Sequence, residues 1–490
     1  MHMGHRWGLC LGKAGVAAFA GLCVGLLAVA TAGVARAETL KQALGAAYKF
    51  NPRLDAARAL QRATDEEVPR AKSGYRPRVT GTADTSWEQT TTTPKGGTKK
   101  STESNPRGYG VGLTQSLFRG FRTKNAVSLA EATVRAGWES LRITEASVLL
   151  ESVTAYMDVY RDLKIVELRE KNVAVLTQDL SATKARFEAG EVTRTDVEQA
   201  KARRALAVAN LDLARANLKT SRATFERTVG HPPSNLSESR PSSLVPRTLG
   251  EATDIALKES PQVVSALYRE QAARFNIDLI RGELLPTVDL EANYARRYDP
   301  SENLREVEDT SVTGRLTVPF YSGGEVEARV RQAKQTHIQR LQEIEQARTE
   351  VQAAVVTAWS QLQAAKAAVE SDLVAVEANK VALQGVREEE KVGQRTLLDV
   401  LNAENELLNA QVTLVTDKRN VVVASYSLVQ AIGRLNAQEL GVSALIYDPE
   451  QHYQEVRDKW FDLSITHGDG TQDKVLPPKK APPPTKGPSR

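Results

Sequence analysis

The sequence predicts an α+β membrane protein, a tandem-duplicated protomer that carries strands for a shared β-barrel and long α-helices beneath them. Three observations predict it. An export leader is followed by no apolar run of the ~18 residues a spanning helix needs, so any crossing must be made by strands. One pattern of residues occurs twice along the chain. The strands in both copies alternate between apolar and polar residues, while the helices that follow carry a seven-residue apolar repeat.

The leader comes first. Arg6 and Lys13 precede an apolar run from Ala14 to Val34 that ends in Ala35-Arg36-Ala37. A basic flank, an apolar segment and an A-x-A ending form a secretory signal, cleaved here after Ala37. A retained anchor is the rival reading, and the Gly/Ala-rich run leading straight to the cleavage motif favours removal. Leu22 before Cys23 is too bulky for lipoprotein processing. Cys10 and Cys23 are the only cysteines and both lie in the leader, so the mature chain has no disulfide or thiolate metal site.

Removing 37 residues from 490 leaves 453; the full sequence has 41% hydrophobic and 26% charged residues, a balance normal for a folded protein. The net charge of +5 is modest, and basic residues alternate with acidic ones (Arg161-Asp162, Arg169-Glu170-Lys171) without interleaved aromatics. Nucleic-acid binding is not expected.

The repeat organises the rest. Thr39-Leu40, Ala43, Ala47 and Asn51-Pro52 return 209 residues later as Thr248-Leu249, Ala252, Ala256 and Ser260-Pro261. Leu113-Thr114, Phe118, Gly120, Gly190 and Asp196-Val197 return at an offset of 203 as Leu316-Thr317, Tyr321, Gly323, Gly393 and Asp399-Val400. The offset drops by six between Pro77 and Leu113, so the first copy carries a six-residue insertion, the kind of change surface loops tolerate. The expected organisation is a leader over 1–37, repeat one over 38–230, a linker over 231–247, repeat two over 248–437, an equatorial segment over 438–463 and a disordered Pro-rich tail over 464–490.

Each repeat reads helix, strand, strand, long helices. In the first hairpin (about 78–118) Val79, Gly81, Ala83, Tyr109, Val111 and Leu113 oppose Thr80, Thr82, Asp84, Gly110, Gly112 and Thr114. In the second (about 286–320) Val288, Leu290, Ala292, Tyr294, Val312 and Leu316 oppose Asp289, Glu291, Asn293, Thr313, Arg315 and Thr317. Each strand is close to the ~10 residues of a tilted membrane strand, and Trp87, Tyr109, Tyr294 and Phe320 near the ends suit a lipid–water interface. A half-buried soluble sheet alternates in the same way. Four such strands in an exported chain, joined pairwise by polar loops at Gln89–Pro106 and Asp299–Asp309, favour a barrel wall. Four strands cannot close a barrel, and an open edge in lipid leaves backbone groups unpaired, so several chains must share the wall.

From Asn125 to Ala189 the chain has no proline, enough for a helix of about 98 Å at 1.5 Å per residue. After Gly393 two heptad columns run side by side, Val400, Leu407, Leu414, Val421, Leu428 and Leu401, Leu408, Val415, Val422, Val429. A seam this wide suits a helix wedged between two neighbours in a ring. Gly190 and Gly393 each stop a helix, with Thr195 or Asp196, and Asp399, near the start of the next, which makes two hairpin tips.

Leu113-Thr114-Gln115-Ser116-Leu117-Phe118, Arg186-Phe187…Gly190…Thr195-Asp196-Val197, Val318-Pro319-Phe320-Tyr321…Gly323-Gly324 and Val392-Gly393…Asp399-Val400-Leu401, in this order and duplicated, resemble the TolC family of outer-membrane efflux and type I secretion channels over nearly all of the mature chain. The resemblance implies a homotrimer with a twelve-stranded outer-membrane β-barrel continued by a long periplasmic α-helical barrel. It implies partners too: a periplasmic adaptor (membrane fusion protein) and an inner-membrane pump or ABC exporter, with lipid around the wall. The tips Gly190, Glu191, Gly393 and Gln394 would meet the adaptor. At the entrance Asp399 would supply an acidic ring, with Asn402 where a second acid is often found. Arg395 would hold the closed state through Asp196 and Thr195, and Glu390 stands where an aromatic can take part in closure. Helix N-capping explains Asp196 and Asp399 as well, and the two roles are compatible.

No catalytic residue, metal ligand set or cofactor is expected. His231, His337, His452 and His467 are scattered, and Gly96-Gly97-Thr98-Lys99-Lys100-Ser101 lacks phosphate-loop spacing. The reading from another class is a periplasmic coiled-coil adaptor or structural envelope protein. That would call for an inner-membrane anchor and would not call for duplicated alternating hairpins.

Overall fold

The computed structural model describes residues 37–301, 303–442, 446–461, 463–466 and 471–473; the expected leader and most of the Pro-rich tail lie outside them. Each repeat opens with a pair of helices. Thr39 caps α1 (Leu40–Phe50) through a capping box with Gln42, and Asn51 caps α2 (Pro52–Asp65), where proline occupies the first turn. A short α3 (Glu67–Lys72) leads to the first hairpin.

That hairpin is β1 (Arg78–Thr85) and β4 (Arg107–Arg119), with a second ribbon, β2 (Glu88–Thr92) against β3 (Lys100–Ser104), between them. Half of the expected loop over Gln89–Pro106 is therefore strand. Its Thr-rich sequence favours extended backbone, and the reversal is made by Pro94–Gly97, where Gly96 has φ +81°. After β4 come α4 (Arg122–Glu188) and α5 (Arg194–Val229), then α6 (Leu249–Glu259) and α7 (Pro261–Arg281) as the repeat of α1 and α2.

The second hairpin is β5 (Thr287–Ser301) and β6 (Leu304–Thr317). Its strands pair out to Ser301↔Leu304, so the expected loop over Asp299–Asp309 is also strand. Tyr294 stands mid-strand opposite Val111 and Thr310, while Trp87 and Phe320 lie just outside the strands.

The four long strands form one antiparallel sheet in the order β1-β4-β5-β6, so the duplicated hairpins lie side by side and β1 and β6 are its edges. Register sorts the residues onto two faces. Val79, Leu113, Ala292 and Val312 align across one face, as do Ala83, Tyr109 and Arg296; Thr80, Gly112, Asn293 and Ser311 align across the other. The second face carries the polar contacts Ser116–Asp289 (2.6 Å), Arg315–Glu291 (3.1 Å) and Arg297–Asp84 (3.4 Å). The apolar face runs along β5 from Val288 to Tyr294, about 20 Å at ~3.3 Å per residue. Arg296 and Glu308, paired on that face, end the band.

Where the sheet meets the helices the backbones touch. Gly120 has φ +59°, and a Cβ there would stand 2.2 Å from the Gly282 carbonyl. No other residue fits this crossing, from which α4 starts.

α4 and α8 (Glu325–Lys391) are unbroken helices of 67 residues, about 100 Å each. The shorter helices divide their length between them. α2 and α7 pack on α4 and α7 also on α8, whereas α5 pairs with α4, and α9 (Leu397–Ala431) with α8, towards the tips. The core lies at the equator between these levels. Leu44, Tyr48, Leu149, Tyr156, Phe225 and Val429 join α1, α4, α5 and α9, and Val355, Leu362, Leu428 and Ile432 join α8 to α9. The Tyr156 hydroxyl lies 2.7 Å from the Glu38 carbonyl and 2.8 Å from that of Ser237, tying the start of the chain to the inter-repeat stretch. All ten residues of the two α9 heptad columns are buried or half-buried.

α10 (Pro449–Val456) follows along the outside of α2. Tyr453 packs edge-on to Trp138 with ring centroids 5.9 Å apart, and the His452 Nδ1 donates to the Asp65 carboxylate, 2.9 Å away. Beyond it, β7 (Ile465–Thr466) pairs with β8 (Gln472–Asp473). Order therefore reaches further than the expected onset of the disordered tail at 464, because these residues close a short ribbon; residues 474–490 lie outside the described ones.

Candidate channel entrance

Both tips are built alike. α4 ends where Gly190 takes φ +81°, and the amides of Gly190 and Glu191 return to the Phe187 and Arg186 carbonyls at 2.9 Å. α8 ends at Gly393, φ +76°, with the amides of Gly393 and Gln394 on the Glu390 and Glu389 carbonyls at 2.9 Å. Only a residue at ease in the left-handed region closes a helix this way. The next helix starts in each case with a capping box: Thr193 with Asp196 opens α5, and Thr396 with Asp399 opens α9. The cap itself is Thr193, with Thr195 and Asp196 in the first turn, near the start as expected. The S/T-x-x-D spacing in both copies was the available signal.

Asp196 and Asp399 are therefore capping residues in this structure. Each carboxylate accepts from its Thr amide (2.9 and 3.0 Å) and from the Thr hydroxyl (2.7 and 2.8 Å). These bonds hold both carboxyls below the usual carboxylate range: the Thr193 hydroxyl first for Asp196, the Thr396 amide first for Asp399. Both stay charged at neutral pH.

The remaining predicted residues have other partners than expected. Arg395 donates to Glu389 at 2.9 Å rather than to Asp196 within the protomer, because Asp196 is turned into its own cap. Thr195 is exposed. Glu390 accepts from Arg186 on α4 at 2.7 Å, and Asn402 accepts from Arg203 on α5 at 2.8 Å. Both bonds tie the helices of repeat two to those of repeat one close to the tips. Below them Leu176, Ala207 and Leu401 pack together.

Reading the sequence missed a further cluster. Arg387 on α8 pairs with Glu404 on α9, and Asp179 on α4 lies against Glu404. Asp179 Oδ2 and Glu404 Oε2 are buried without a donor, and burial pushes both carboxyls up despite Arg387. No helix among the described residues is apolar and long enough to span a membrane, and none of them form a cluster of three or more potential metal ligands.

Comparison with known proteins decides the family. The sequence profile of the "Outer membrane efflux protein" family matches residues 43–231 and again 252–434, one match in each repeat. The chain belongs to the outer membrane efflux protein family. It is 41% identical over 442 residues to outer membrane efflux protein BepC of Brucella suis biovar 1, covering 90% of this chain and 95% of that one. It is 26% identical to outer membrane protein TolC of Vibrio cholerae, over 82% of this chain and 92% of the relative. The fold matches the crystal structure of the Campylobacter jejuni CmeC outer membrane channel with a TM-score of 0.73 at 16% identity, covering 86% and 89% of the two chains.

The chain is thus an outer-membrane protein with a large periplasmic part, an exit duct of the efflux and secretion class. Its four-stranded sheet and long helices share the fold of solved outer-membrane channels. The family is one of channels, not of enzymes.

Proposed function

We propose that three copies close the wall, β1 of each pairing with β6 of the next, and that the helices below form one tunnel whose tips dock on a periplasmic adaptor served by an inner-membrane pump or ABC exporter. Its work is conduction rather than catalysis, so cargo is selected by the pump. One observation carries this: an amphipathic four-stranded sheet with both edges free. In lipid each unpaired backbone group costs several kcal/mol, so the sheet is tenable only when neighbours pair its edges. The helices agree, since Leu373, Val374 and Val381 on the lower half of α8 and Leu213 on α5 are exposed in the single protomer.

In this reading Gly190, Glu191, Gly393 and Gln394 are the adaptor-facing tips. Asp399 lines the entrance with Asn402 above it, and Arg395, Asp196, Thr195 and Glu390 belong to the contacts that open and close it. The capped Asp399 is compatible with a ring role, because its charge is retained. Native mass measurement of the detergent-solubilised protein is expected to give three chains. A stable monomer would overturn the shared wall.

A further inference from the structure

The segment after α10 leaves the helical wall and reaches the foot of the sheet. Lys72 Nζ meets the Asp458 carboxylate at 2.7 Å, and the Arg76 guanidinium donates to the Lys459 carbonyl at 2.7 Å. Arg76 also lies over the Trp460 ring, 4.7 Å from its centroid. Since β1 begins at Arg78, the Arg76 backbone stands two strand residues, ~7 Å, from where the wall begins, and its side chain reaches Trp460. From that point Trp460, Phe461, Leu463 and Ile465 are all exposed, Phe461 at 89%. The Trp460 and Phe461 rings stand 5.8 Å apart as one apolar surface.

Four large apolar side chains in six residues, pinned by two cationic residues, are not a surface that water tolerates well. Their place explains them. They are tied beside the start of β1, where exposed Val79 heads the apolar face of the sheet, and aromatic side chains at the end of a membrane wall bridge acyl chains and headgroups.

We propose that Trp460, Phe461, Leu463 and Ile465 form a lipid-docking surface that seats in the periplasmic leaflet of the outer membrane. The inference rests on the reading of the sheet as a membrane wall. It gives the C-terminal segment a second role besides packing on α2, that of fixing the depth at which the wall stands. Lys72 and Arg76 act as positioning residues, holding the backbone so that the apolar side chains face outward.

The mature chain has no cysteine, so single labels can be placed anywhere in it. Phe461→Cys, Val312→Cys on the apolar face of β6 and Glu450→Cys on α10 are each labelled with a nitroxide. The full-length protein is reconstituted in phosphatidylethanolamine/phosphatidylglycerol vesicles, and accessibility to oxygen is compared with accessibility to a water-soluble nickel chelate. Oxygen is expected to dominate at 461 and 312, and nickel at 450. Nickel dominance at 461 with oxygen dominance at 312 would overturn the docking surface alone, as would shielding of 461 from both reagents by a neighbouring protomer. Nickel dominance at 312 would overturn the wall itself.

Discussion

Breaking the bond between Arg186 and Glu390 is expected to open the isolated channel. The pair joins α4 of the first repeat to α8 of the second at 2.7 Å, next to the reversal of both helices. Arg186 is 44% exposed and Glu390 18%, so solvent screens the pair and its worth is at most ~1 kcal/mol. Three copies act on one opening event, which sets an upper limit of about 3 kcal/mol, or roughly a hundredfold in the open-to-closed ratio at 1.4 kcal/mol per tenfold. Arg186→Ala and Glu390→Ala should each raise open probability in planar bilayers by about ten- to a hundredfold. The double variant should add little, since both remove one contact. Arg186 also reaches Glu191 at 3.4 Å, so Glu191→Ala serves as a control with a small effect. Unchanged open probability in both single variants, with trimers intact, would refute the idea that this bond holds the entrance shut.

Four further outcomes are expected. Asp399→Asn should lower cation preference in reversal-potential measurements without a large change in opening, because a ring of carboxylates at a narrow entrance attracts cations; unaltered selectivity would place Asp399 away from the conducting path. Glu404 and Asp179 have carboxyl pKa values raised chiefly by burial, so the folded state holds their protons more tightly than the unfolded one. Their contact is firmest below the ordinary carboxylate pKa of ~4.3 and weakens as pH rises through that value to the raised one, so Glu404→Gln should flatten the fall in melting temperature with rising pH expected from these two groups. His452→Ala leaves the fully buried Asp65 with the Gln61 amide (2.7 Å) as its side-chain donor and should cost about 1–3 kcal/mol in unfolding measurements, and deletion from Tyr447 should abolish assembly where deletion of 464–490 does not.

Much of this architecture was legible in the residues. Alternation sets the faces of the four strands because successive side chains must point opposite ways, and the register then joined Val79, Leu113, Ala292 and Val312 into one face. Duplication announced two hairpins, and the absence of helix breakers announced α4. Glycine at 190 and 393 marked the tips, since each takes a left-handed backbone that other residues resist. These are properties of a few neighbouring residues, and local chemistry settles them wherever the segment finally lies.

The tertiary structure decided which groups meet. Arg395, Glu389, Glu390, Arg186, Arg203 and Asn402 are all capable of pairing, and nothing in their spacing ranks one match over another across 200 residues. Asp196 was free to bind Arg395 until the chain placed Thr193 at the helix start and drew the carboxylate into its own cap. The cluster of Asp179, Arg387 and Glu404 exists only because α4, α8 and α9 converge, and its raised pKa values come from burial that no linear pattern records. The two reversed loops became strand for a related reason: pairing across a hairpin rewards extended backbone in Thr-rich or charged stretches that read as loop when considered alone. What depends on a residue and its near neighbours was written in the sequence; what depends on the distance between far-apart segments had to wait for the fold.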